Sequence, residues 1–139
     1  MKLLDGRTVT DTVKVSLTAA DVTAIADDAV LATIAVPANT LITKIFAISD
    51  DLDTNASPTL EIDLGHTGFT DTDGTTVAAA PTVVASSDIT ETGGQLISDG
   101  LFLVGVGGTS VQVRAEGTAA TAAAGDIRVG YIGVAVPAG

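Results

Sequence analysis

A chain of 139 residues fits one domain with a sizeable core, and the absence of Cys rules out disulfides, zinc–thiolate sites and iron–sulfur clusters. Seventeen Asp and Glu against six Lys and Arg set the formal charge at −11, a field that repels phosphate backbones and anionic lipid and argues against nucleic acid or a membrane as partner. Although 46% of the residues are hydrophobic, charged residues, Gly or Pro interrupt every apolar run well short of the ~18–20 residues that span a bilayer.

Residues 1–7 carry Lys2, Leu3, Leu4 and Arg7 and differ in composition from the rest of the chain. They read as a frayed terminus or as an arm that docks on a neighbouring chain, burying the two leucines while the cations meet acidic surface. Asp5 and Gly6 come where a signal peptide needs an apolar stretch of ~7–15 residues, so no export signal is expected and synthesis is expected in the cytoplasm. Residues 8–139 are expected to form one domain.

Thr, Val, Ala and Gly dominate the remainder, a mixture that favours pleated sheet joined by tight turns. Val9, Val13, Val15 and Leu17 alternate with Thr10, Thr12, Lys14 and Ser16, which predicts a strand with one wet face. Residues 18–24 are the one place where a short helix is expected, with Thr18 as its cap. Strands are predicted over 29–36 and 41–49, separated by Pro37-Ala38-Asn39, and an acidic loop over 50–58. Leu60, Ile62 and Leu64 alternate with Thr59, Glu61 and Asp63 and give the clearest amphipathic strand. Beyond it lie a polar loop over 65–75, a weaker strand over 76–85 interrupted by Pro81, and a polar stretch over 86–94.

Strands over 101–106 and 110–116, linked through Gly107-Gly108-Thr109, read as a short hairpin. The Ala-rich segment 117–125 has helical propensity, but its bracketing glycines favour a hairpin loop. In the last strand, 126–136, the apolar set passes from Ile127, Val129 and Tyr131 to Ile132, Val134 and Val136, which predicts a bulge or a passage between sheets. Eight or nine short strands with frequent turns define the expected fold: all-β, a single-domain β-sandwich, with a small barrel as the other closed solution.

Few residues carry chemistry. His66 is the single histidine, with Ser57, Thr67 and Thr70 as nominal nucleophiles, yet no nucleophile elbow, phosphate loop or His-pair metal motif surrounds it. Carboxylate pairs for glycoside hydrolysis lack aromatic platforms, since the chain has no Trp, one Tyr and three Phe. A non-enzymatic protein is expected. The better candidate is a Ca²⁺ site built from Asp50, Asp51 and Asp53 in one loop and Asp71 and Asp73 in another, because hard cations take closely spaced oxygen ligands. Acidic loops arise equally from turn chemistry, and no other cofactor is indicated.

Three segments carry a resemblance. Val36-Pro37-Ala38-Asn39-Thr40-Leu41-Ile42, Asp51-Leu52-Asp53-Thr54 and Pro58-Thr59-Leu60-Glu61-Ile62-Asp63-Leu64-Gly65 form a turn, an acidic loop and a strand. Together with the closing Ala124-Gly125-Asp126-Ile127-Arg128-Val129-Gly130-Tyr131, this pattern resembles small all-β structural proteins of tailed bacteriophage virions. The resemblance spans roughly residues 30–136. It implies a jelly-roll-like sandwich acting as a capsid decoration or cement protein on the virion exterior, with the major capsid protein as partner and a homotrimer as the assembly. A tail, neck or fibre component, or a calcium-assisted surface-binding module, are the alternatives. The loop 68–76 and the segment broken by Pro81 depart from the common pattern.

Overall fold

The computed structural model describes residues 7–66, 84–87, 89–104 and 109–136. β1 (Thr8–Leu17) half-buries Val9, Val13, Val15 and Leu17 against the core and leaves Thr10, Thr12, Lys14 and Ser16 exposed, as its alternation dictates. α1 (Ala19–Thr23) comes next, and Thr18 is its N-cap. The Asp21 N–H donates to Thr18 Oγ1 at 3.1 Å and the Thr18 N–H donates to Asp21 Oδ2 at 2.9 Å, a reciprocal capping box that satisfies two donors of the first turn. Val22 anchors this turn in the core.

The other elements are β2 (Val30–Val36), β3 (Thr40–Ser49), β4 (Glu61–His66), β5 (Val84–Ser87), α2 (Ile89–Thr92), β6 (Gly94–Val104), β7 (Thr109–Glu116) and β8 (Gly125–Ala135). They form two four-stranded antiparallel sheets with the orders β1-β8-β3-β6 and β2-β7-β4-β5. Ile34, Ile62, Leu64, Val111 and Val113 of the second sheet face Ile42, Ile45, Ile127 and Val129 of the first, all at most 3% exposed. Each such side chain contributes roughly 1.5–3 kcal/mol relative to exposure. The all-β sandwich expected from the sequence is therefore the fold.

Its connections differ from the expected ones in three places. The strands before and after 107–109 do not form a hairpin: β6 pairs with β3, whereas β7 pairs with β2 and β4 in the opposite sheet. Likewise 117–124 is a loop between sheets, since β8 pairs with β1 and β3. The polar stretch 86–94 contains α2, and β6 starts at Gly94, seven residues before the expected strand. Pairing to the long β3 recruits Gly94, Gln95 and Ser98, whose own propensity for strand is weak.

The bulge also lies elsewhere. β8 is continuous, and the register shifts in β3 between Ile42 and Lys44. The extra residue, Thr43, donates from Oγ1 to the Ile132 carbonyl at 3.1 Å. Ile42 and Ile45 thereby both point inward, three positions apart in a structure of period two. In β8, the second apolar set occupies the outward face, with Ile132 and Val134 only half-buried. No helix of the described residues is long and apolar enough to cross a membrane.

Candidate functional site

Strand ends place the segments 18–29, 50–60, 89–93 and 117–124 at one end of the sandwich, because Leu17 pairs with Gly125, Ser49 with Gly94 and Glu61 with Glu116. At their centre is Asp53, which has no exposed surface. Its Oδ2 accepts from the N–H groups of Thr59 (2.8 Å), Ala120 (2.9 Å) and Leu60 (3.2 Å), and its Oδ1 from Thr121 (2.8 Å) and, more weakly, Asn55 (3.4 Å). Burial opposes the charge, but the N–H donors of Thr59, Thr121, Ala120 and Leu60 outweigh it and lower the carboxyl pKa to about 2. Around this anion the backbone closes further. Leu52 donates to Thr90 O at 2.8 Å, Ala123 to Leu52 O at 3.0 Å, and Thr90 Oγ1 to Leu60 O at 2.6 Å.

Asp50 and Asp51 share this loop and are exposed, and both carboxylates accept from backbone: Asp50 Oδ2 from Asp126 N–H at 2.8 Å, Asp51 Oδ1 from Asp53 N–H at 3.2 Å. Among the described residues no group of three or more His, Cys, Asp or Glu side chains converges to hold a metal ion. Asp53, one of the five candidate ligands, ties loops 50–60 and 117–124 together. Asp71 and Asp73 lie outside the described residues.

His66 ends β4, is 4% exposed, and burial pushes its imidazole pKa below the usual value. Ser57 is exposed on the loop that precedes β4, so the whole strand separates it from His66. Thr67 and Thr70 lie outside the described residues, as do Lys2, Leu3 and Leu4 of the expected arm. Arg7 opens the described chain at the far end of the sandwich. Its carbonyl accepts from Ala135 N–H at 3.1 Å, and it lines an open cleft of about 500 Å³ with Pro37, Asn39 and Val136.

Sequence reasoning missed a different surface, the outward face of the β1-β8-β3-β6 sheet. Register aligns Thr12, Gly130, Phe46 and Ile97 across the four strands in one outward row. Gly130 is the floor under the Phe46 ring, since a Cβ there would collide with Phe46 Cζ and stand 2.6 Å from the Asp11 carbonyl. The neighbouring row is Lys14, Arg128, Ile48 and Gln95, and on the other side Ile132 pairs with Lys44. Ile97 is 49% and Ile48 37% exposed. Lys14 Nζ lies 3.8 Å from Asp126 at the margin of the face. The signal was present in the apolar set Ile132, Val134 of β8, which falls on the outward parity.

Eight strands in these two orders make a double-sheet jelly roll, an architecture of viral capsid, lectin and cupin domains. No protein-family model matches the chain, and neither does any curated protein. Two solved structures do. A chain of the cyanophage Pam1 capsid asymmetric unit is 25% identical with a TM-score of 0.58, over 95% of this chain and 86% of its own length. A chain of the capsid of Ralstonia phage GP4 is 21% identical with a TM-score of 0.64, over 96% and 87%. The fold is thus that of phage capsid chains, and the likeness supports a structural role in a virion.

Proposed function

We propose that this chain is a non-enzymatic phage structural protein that binds the outside of the capsid, cements neighbouring major capsid subunits, and works as a homotrimer. The observation that carries this reading is the likeness to phage capsid chains along nearly the whole of this chain. Charge agrees with it, since a protein of net charge −11 suits the exterior of a shell better than contact with a packaged genome. Small contacts repeated over many copies would stabilise the shell by mass action and avidity, without catalysis or a cofactor.

The test is to add purified protein to capsid shells that lack it, pellet the shells, and heat them. Saturable binding at a fixed number of copies per major capsid subunit, with a higher rupture temperature, is expected. Protein that stays in the supernatant with every form of the shell would refute the reading.

A further inference from the structure

Two surfaces of this molecule complement each other. Across β8, β3 and β6 the outward sheet face presents Phe46, Ile48, Ile97 and Ile132 as a contiguous apolar strip, more than isolated exposed residues would give. Lys14, Lys44 and Arg128, half of the six Lys and Arg of the chain, stand on the same face and outnumber its acids, Asp126 at 3.8 Å from Lys14 and Asp99 at the register position opposite Lys44. The loop end is the opposite in charge. Segments 18–29, 50–60, 89–93 and 117–124 contain no Lys or Arg, and Asp27, Asp28, Asp50 and Asp51 are exposed on them.

We propose that copies of this chain join head to tail, the apolar and cationic sheet face of one against the acidic loop end of the next. This rests on the self-association of the proposed homotrimer and names the surfaces that carry it. A two-fold pairing of the sheet with its own copy would cover the strip equally well, but would bring Lys14, Lys44 and Arg128 toward their own counterparts. The head-to-tail contact places unlike charges together instead. It is heterologous, the only kind of interface that closes a three-membered ring.

The loop charges can be removed without removing their hydrogen bonds. Asp27 Oδ1 accepts from Gly117 N–H at 2.9 Å, Asp50 Oδ2 from Asp126 N–H and Asp51 Oδ1 from Asp53 N–H, all roles an asparagine oxygen can fill. Asp28 has φ +65°, a conformation Asn tolerates.

Light scattering after size exclusion, on the whole chain, decides the matter for the wild type, Ile97→Lys, the fourfold Asp→Asn variant at 27, 28, 50 and 51, and an equimolar mixture of the two variants. The wild type is expected as a closed oligomer that loosens with salt, and each variant as a folded monomer by circular dichroism, with association weakened at least about tenfold. The mixture is expected to form dimers, because the intact face of the loop variant meets the intact loops of the face variant. Wild-type mass for Ile97→Lys, or a mixture that stays monomeric, overturns the proposal. A monomeric wild type overturns it together with the trimer, and loss of shell binding by Ile97→Lys would then assign the face to the capsid. An oligomer that ignores capsid shells refutes the cement reading and leaves this one standing.

Discussion

Asp53 and Ile97 are both placed against type, one a carboxylate with no exposed surface and the other an isoleucine left half in water. The carboxylate is compensated within the chain: backbone N–H groups from two loops converge on its oxygens. Nothing in the described residues compensates the isoleucine. The difference separates a region the chain completes alone from one that the proposed assembly would complete.

The comparison breaks most visibly at Asp53. Asp53→Ala strands several buried N–H groups at once and is expected to cost about 3–5 kcal/mol of unfolding free energy, read by urea titration. A loss below about 1 kcal/mol would mean that water replaces the carboxylate. Next comes the outward face, where Gly130→Ala must displace Phe46 and also meets the unyielding Asp11 carbonyl. A drop of about 2 kcal/mol is expected in the same titration.

Acid sharpens the contrast. The Asp53 pKa is about 2 in the folded chain against an ordinary value of 3.8, so its contribution is complete above the unfolded value and is lost as pH falls from about 4 to about 2. The wild type is expected to lose stability across that window, and Asp53→Asn to lose less, with thermal melts at stepped pH as the readout. Smallest of all is Ile97→Ser. It is expected to change the unfolding free energy of the separated chain by under about 0.5 kcal/mol, while association falls. A larger change in stability would show that Ile97 already has its partners within the chain.

Much of this was readable in the residues. Period-two alternation located β1 and β4, and Thr18 as a cap marked α1, because these depend on neighbours in sequence. Sheet membership was not readable. β6 and β7 look like two arms of a hairpin around a glycine turn, and only the pairing partners reveal that they belong to opposite sheets. The hydrogen-bonding role of Asp53 was not readable for a related reason. Beside Asp50 and Asp51 it looks like one more solvated loop acid, and the donors that bury it lie 67 and 68 residues away at Ala120 and Thr121. The outward face needed the same long-range information, since an apolar residue on the wrong parity becomes a strip only when three strands align.

The place of β8 between β1 and β3 has a consequence in time. On the ribosome β1 emerges well ahead of the strand it pairs with, which is the last of the described strands, and β3 also waits for that strand. Until β8 is made, the two edges it will join can pair only with the wrong strands. Closure of this sheet is therefore a late and slow event, as non-local topology demands. The acidic, mutually repelling character of the nascent chain helps keep such waiting edges on neighbouring chains apart.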